Sequence, residues 1–205
     1  MEPAVPPFWN DNSRLENSQF VILDLSLPFE FEAFVNTKSD CRKSDLLLTA
    51  FSAFLARLTA NDNFDIGYSS FEIDEETEGL GNLFSRQVPF RVDAGELVTF
   101  ADLSESIKEE MDLVKANLTF SRDIVIRYPQ LKSLSDTEEK LSFPIVFRET
   151  ASLDKPNLLN VRGLTFETSD DDSTHRWIYD AGKIQCEGIE RLIGNFSTFL
   201  KNIAQ

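Results

Sequence analysis

His175 is the one imidazole in the chain, so any histidine-dependent chemistry rests on it. It follows the acidic stretch Ser169–Thr174 (SDDDST) and precedes Arg176-Trp177-Ile178. A general base needs a nucleophile within hydrogen-bond reach and a pocket around both. A lone histidine beside acidic residues reads instead as a surface residue with a mildly raised pKa. No catalytic residue is assigned; His175 is the only candidate, and the surface reading is preferred. Asp170, Asp171 and Asp172 could offer oxygen ligands to calcium, but the spaced ligands, turn glycine and distal glutamate of a calcium loop are missing. Those aspartates, like Asp74, Glu75, Glu76 and Glu78, read as solvated, and no metal site is assigned. Cys186 stands just before the last predicted helix, where a helix N-terminus can lower a thiol pKa; with no base nearby it reads as an ordinary small residue. Gly79 and Gly81 do not make a phosphate loop, because no Lys-Ser/Thr follows and the surroundings are acidic. Arg86 and Arg91 flank Pro89 and could touch a partner domain or a phosphopantetheine phosphate, but side chains snorkelling from a strand edge are the simpler reading.

The bulk properties exclude several classes. The chain has 205 residues, a net charge of -15 and a pI near 4.4. That length suits one domain with a sizeable core. With no basic stripe to displace counterions from phosphates, nucleic acid is not an expected partner, nor is an anionic membrane surface. Eighteen phenylalanines, against two tryptophans and three tyrosines, imply a core packed largely with Phe rings. Cys41 and Cys186 are the only cysteines and form no CxxC pair; a single bridge between them stays open but is not expected in what looks like a cytoplasmic protein. No apolar run approaches the roughly 20 residues that span a bilayer, and the N-terminal MEPAVPPFWND lacks a secretory pattern.

The elements that would position these residues are legible from periodicity. Residues 1–18 read as a Pro-rich leader kept extended by Pro3, Pro6 and Pro7, with Phe8 and Trp9 able to dock on the domain. The domain proper runs over 19–205. Phe20–Leu27 predicts a strand and Pro28–Ser39 a short helix. The stretch Ser44–Phe71 organises the rest. Leu47, Phe51, Phe54, Leu55 and Leu58 fall on one helical face, with Ser44 as hydroxyl cap and Asp45 in the first turn. Asn61-Asp62-Asn63 makes the turn, and Phe64, Ile66 and Tyr68 alternate as a strand. Glu72–Gly81 reads as an acidic loop and Phe84–Val92 as a strand, with Pro89 marking an edge or bulge. Thr99–Leu118 predicts a helix opened by a Thr99/Asp102 capping box, with an apolar stripe of Phe100, Leu103, Ile107, Met111 and Val114. Phe120–Leu131 is ambiguous between helix end and strand, and Ser133–Lys140 reads as a loop. Phe143–Arg148, Asn157–Thr168 and Arg176–Tyr179 predict three strands, the last two joined by SDDDST. A stripe from Ile189 to Ile203 predicts the closing helix. The fold class is α/β (α+β): a mixed sheet with helices on one face.

Several of these segments, in order, resemble the second half of a nonribosomal peptide synthetase condensation domain. LLLTAFSAFLARLTANDNFDIGYSSFE is similar to that family's helix and following strand, with Thr59, Asn61, Asp62 and Gly67 in the expected places. LGNLFSRQVPFRVD resembles the family's "iGxFvNtlPLRvd" at Gly81, Phe84, Pro89, Arg91 and Val92. TFADLSESIKEEMDLVKANLTFSRDI, FPIVF and GIERLIGNFSTFLKNI resemble its next helix, strand and closing helix. The resemblance covers roughly Phe20–Ile203. It implies one lobe of a CoA-dependent-acyltransferase-like two-layer sandwich.

The departures bear on function. The family's HHxxxDG signature belongs to the other half, and His175 does not match it. Ala116–Phe120 stands where the family often has His-Gln-Asp-x-Pro-Phe. Its "FvN" asparagine is replaced around Ser85–Arg86, and its RDxSRNPL segment has become LSDTEEKLSFPIV. Half-domains of this kind stand before adenylation domains, as in alpha-aminoadipate reductases. The resemblance therefore implies a non-catalytic structural or interaction domain, since fold does not carry activity. It implies no cofactor in this segment. The parent would use ATP/Mg and phosphopantetheine, with NADP if a reductase, and the partners would be adjacent adenylation and carrier domains. Apolar surface once facing the other lobe would show as exposed Phe or Leu on one sheet face. Two other readings stay open: one lobe of a condensation or acyltransferase enzyme completed in trans by a lobe carrying HHxxxDG, and an independent dimeric binding protein.

Overall fold

The computed structural model describes residues 3–5, 19–76, 78, 84–95, 99–117, 120–121, 143–158, 161 and 163–204. In chain order the elements are β1 (Phe20–Ser26), α1 (Phe29–Asn36), α2 (Lys43–Thr59), β2 (Asn63–Ser69), α3 (Phe71–Glu76), β3 (Phe84–Ser85), β4 (Val88–Asp93), α4 (Phe100–Asn117), β5 (Phe120–Ser121), β6 (Ile145–Glu149), β7 (Leu164–Thr168), β8 (Thr174–Asp180) and α5 (Cys186–Ile203). Six strands form one mixed sheet in the order β1-β8-β7-β6-β2-β4, and β3 pairs with β5. The three central strands β7, β6 and β2 run parallel; β8 and β1 on one side and β4 on the other are antiparallel to their neighbours.

The helices cover one face of this sheet. α2 is the central helix, and eleven of its residues are buried, from Ser44 to Ala56. A helix apolar nearly all round must be enclosed nearly all round. The sheet lies beneath it, α4 and α5 pack beside it, and α1 adds the fully buried Phe31. Phe51 is the hub: its ring stacks on Phe166 at 5.2 Å and meets Phe147, Trp177 and Phe196 at 6.0 Å each. The Phe-rich composition thus becomes one aromatic cluster spanning α2, α5, β6, β7 and β8. α4 carries the expected stripe, with Leu103, Ile107, Met111 and Val114 buried. Its capping box forms as expected: Asp102 N–H donates to Thr99 Oγ1 at 3.2 Å, and Thr99 N–H donates to Asp102 Oδ2 at 3.0 Å.

Residues flanking β6 are buried on the opposite face. Phe143, before the strand, and Leu153 and Val161, after it, are buried outside the aromatic cluster, as are Val146 and Ile178. Gly67 explains one close approach there: a Cβ at this position would come within 3.0 Å of Phe143 Cβ.

Four expectations are corrected. Ser44 does not cap α2 through its hydroxyl; Arg42 is the N-cap residue and makes no side-chain cap. Part of the supposed acidic loop is helix α3, whose Ile73 is fully buried. Exposed large apolar residues do not gather on one sheet face. Among the described residues they are Val5, Ile22, Phe29, Phe71, Leu113 and Leu158, dispersed over separate segments. The fourth concerns His175 and is given below. Of the leader, Pro3–Val5 are described: Ala4 is buried, and its N–H donates to the Asp65 carbonyl at 3.0 Å. Phe8, Trp9, Gly79, Gly81 and most of Phe120–Leu131, with all of Ser133–Lys140, lie outside the described residues. No helix among the described residues is long and apolar enough to cross a membrane.

Candidate functional site

In a parallel α/β sheet, ligand sites favour the carboxyl ends of the strands. Here β2, β6 and β7 end together beside the N-terminus of α2. Tyr68 of β2 donates its hydroxyl to Glu149 Oε2 at 3.0 Å. Glu149 closes β6 and is buried. Arg42, just before α2, reaches Glu149 Oε1 at 2.5 Å and Asp45 Oδ1 at 2.7 Å. From the β7–β8 turn, Asp170 accepts the Ser44 N–H at 2.7 Å on Oδ1 and lies 3.8 Å from Arg42 on Oδ2. Lys43 donates to the carbonyls of Asp170 and Asp172. Asp170 is therefore the cap that sequence reading gave to Ser44. A distant carboxylate meets an otherwise unpaired helix N–H and the positive end of the helix dipole.

The electrostatics fit a closed clasp. Burial, then the charge of Glu149 and the bond to it, push the Tyr68 hydroxyl far above its usual range. Burial works against the Arg42 charge, but Asp45 and Glu149 hold its pKa above the ordinary arginine value. Burial lowers Lys43 despite its aspartate neighbours. Arg42, Lys43, Tyr68, Glu149 and Asp170 each bond another element of the fold.

A second network lies on the opposite sheet face. Arg176 of β8 donates to Asp24 Oδ1 at 2.5 Å, to Glu167 Oε2 at 3.2 Å and to the Leu153 carbonyl at 2.5 Å. Arg148 of β6 lies 3.6 Å from Glu167 Oε1 and donates to the Asn157 carbonyl. Glu167 thus sits between two arginines, all three almost wholly buried. Burial raises the Glu167 pKa and the arginines pull it back, while burial lowers Arg148. Arg86 lies 3.8 Å from Asp74, whose carboxyl is raised by burial.

His175 is not the surface residue expected. It is 4% exposed, on the helix-facing side of β8, with its ring 5.1 Å from Phe166 and 6.3 Å from Trp177. Its pKa is lowered, not raised: burial pushes it down to about 4. Alternation along a strand leading into Trp177 and Tyr179 was the available signal. Cys41 and Cys186 are exposed free thiols. Cys186 opens α5, 3.7 Å from Glu190 Oε1, and the Tyr179 hydroxyl is pushed up to about 12 by burial and by its bond with Cys186. Arg91 is exposed on the edge strand, as read from sequence. Asp171 and Asp172 stay in the turn, where Asp172 accepts the Leu153 N–H at 3.0 Å. Among the described residues no His, Cys, Asp and Glu cluster is placed to hold a metal ion. A cleft of about 640 Å³ opens between the C-terminal half of α2, the start of α4 and the end of α5, floored by Phe100, Leu103 and Phe199.

Sequence reading missed Arg42, Glu149, Arg148, Glu167 and Asp24 as a set. Its available clue was charge inside apolar strands: FPIVFRE and LTFE bury every position of β6 and β7.

No protein-family model matches the sequence, and no curated protein matches it. Solved structures do. The chain is similar to the EpoB cyclization-docking bidomain of a nonribosomal peptide synthetase from Sorangium cellulosum (TM-score 0.69, 14% identity, covering 100% of this chain and 46% of that one). It is similar to the starter condensation domain of rhizomide synthetase RzmA (TM-score 0.67, 17% identity, 100% and 49%). It also matches the nonribosomal peptide synthetase FmoA3 (TM-score 0.62, 14% identity, 99% and 23%). The chain spans about half the length of the first two of these solved chains. It has the α/β fold of one lobe of a nonribosomal peptide synthetase condensation domain.

Proposed function

We propose that this lobe is a non-catalytic structural and interaction half-condensation domain at the N-terminus of a multidomain adenylating enzyme, packed against the adenylation domain that follows. The parent is a nonribosomal peptide synthetase or a synthetase-like reductase. It activates an amino or carboxylic acid with ATP/Mg and passes it as a thioester to a phosphopantetheine arm on a carrier domain, with NADP as reductant in the second case. One observation carries this reading: among the described residues, the polar groups gathered at the carboxyl ends of the parallel strands and the one histidine are consumed in holding the lobe together. Glu149, Tyr68 and Arg42 clasp α2 to the sheet, and His175 is sealed among aromatic rings. A general base must reach a substrate proton, and a histidine 4% exposed does not.

The test is an amide-forming assay on the natural full-length protein, with acyl- and aminoacyl-phosphopantetheine thioesters as substrates. The expected result is thioester loading without amide formation by this lobe, and a His175→Phe variant that loads at the wild-type rate. Amide formation that disappears in that variant overturns the reading. Amide formation that appears only on adding a polypeptide carrying HHxxxDG replaces it with an enzyme completed in trans.

A further inference from the structure

The two edges of the six-stranded sheet are built differently. Leu27 N–H donates to the Ser173 carbonyl at 3.2 Å and Ala181 N–H to the Gln19 carbonyl at 2.8 Å. Both bonds extend the β1–β8 register, which pairs Ser26 with Thr174 and Phe20 with Asp180. Antiparallel ladders alternate bonded and non-bonded pairs. Val21, Leu23 and Leu25 therefore turn their backbone groups toward β8. Phe20, Ile22, Asp24 and Ser26 turn theirs outward. β1 pairs with β8 alone among the described strands. At the far edge, Ala94 N–H donates to the Asp62 carbonyl, so Pro89, Arg91 and Asp93 of β4 face outward. That edge is blunted: Pro89 has no N–H, and the Arg91 N–H is taken by Glu110 Oε1 at 3.3 Å.

Among the described residues, β1 has none of these protections. It contains no proline and no lysine, and its one charge, Asp24, is held by Arg176. Ile22 is 36% exposed beside it. A strand edge in this state is a template for another strand. We propose that β1 pairs with β1 of a second copy of this chain, antiparallel about a two-fold axis at Leu23, joining two sheets into one. The register is self-complementary. Outward-facing residues meet as bonded pairs, Phe20 with Ser26 and Ile22 with Asp24, each in both directions. On the helix-facing side Leu23 meets its own copy and Val21 meets Leu25, so apolar side chains pair at the close, non-bonded positions. No like charges stand directly opposite, because each Asp24 faces an isoleucine. The interface is isologous, as a closed dimer requires. Each copy carries a net charge of -15, so association strengthens as salt rises.

The test is sedimentation velocity of the natural full-length protein over a concentration series, with amide hydrogen exchange on the same samples. A reversible dimer is expected, with protection at Ile22 and Asp24 that grows with protein concentration. Ile22→Pro removes one outward N–H and leaves the β1–β8 ladder intact, so it weakens the dimer about tenfold or more. Ser26→Lys, which places a charge opposite Phe20, weakens it too and serves if the proline variant fails to fold. A monomer at every concentration overturns the proposal, as does a dimer indifferent to a folded variant. Protection at β1 independent of concentration also overturns it, since the edge would then be covered within one chain. Protection that needs an added, different domain overturns it as well.

Discussion

Phe166 and Glu167 are adjacent in β7, equally buried, and face opposite worlds. Phe166 touches Phe51, Phe147, Trp177 and Phe196 in the helix-covered layer. Glu167 lies between Arg148 and Arg176 under a loop. The helix face is stabilised by apolar area removed from water, which is tolerant of small shape changes. The other face depends on charges that neutralise one another, which tolerates no missing member. A face covered by irregular chain has carbonyls to satisfy, and the arginines do this by donating to Leu153 and Asn157. The contrast teaches that burial alone does not define a core; what the covering segment offers decides the chemistry beneath it.

The largest test of that contrast is a pair of truncations read by urea unfolding. Phe166→Ala and Glu167→Ala are each expected to cost about 3–5 kcal/mol, the first by opening a cavity and the second by removing the carboxylate that lies between two buried arginines. A joint change of Arg148, Glu167 and Arg176 to Met, Leu and Met removes the buried charges together but also the donors to the Leu153 and Asn157 carbonyls, so it is expected to restore part of the loss. If the triple variant is no more stable than Glu167→Ala, the ionic account of that face fails.

Next in size is the pH dependence of the helix face. His175 is neutral when folded, with a pKa pushed down to about 4. The unfolded chain protonates it near 6.5, so between these values the unfolded state binds more protons. Stability is then fully present above pH 6.5 and falls as pH drops toward 4, by about 3 kcal/mol from this group. His175→Phe should flatten the unfolding free energy across that window; an unchanged slope would assign it to other groups.

The β7–β8 turn joins the two faces, and Asp170 in it caps α2. Asp170→Ala should lower stability by about 1 kcal/mol, while Asp171→Ala should leave the thermal midpoint where it is. Equal effects would mean that the turn acts through net charge. The smallest effect is a gain. Ala60 ends α2 at φ 50, the left-handed region. Ala60→Gly should stabilise by about 0.5–1 kcal/mol, and a loss there would show that the Ala60 methyl packs in the cleft it lines.

Much of the fold was legible because it depends on local periodicity. Leu47, Phe51 and Phe54 announce α2, the Thr99/Asp102 pair announces the start of α4, and Pro89 announces an edge. The candidate site was far less legible. His175 looked exposed beside SDDDST, yet strand alternation places it with Trp177 under the helices. Asp170 looked like solvated charge, yet it serves a helix 126 residues away in the chain. Such pairings have no sequence spacing to betray them, since the sheet order that creates them is not a local property.

The sequence by itself determined most of the longer helices and strands, that the core is phenylalanine-rich, and that the lobe resembles half of a condensation domain. Those follow from side-chain volume and period, which act within a few residues. Only the tertiary structure decided which charges are buried together, that the histidine lies dry among aromatic rings, and which sheet edge is blunted. Those depend on strand order and register, set when distant segments meet and each buried polar group must find a partner.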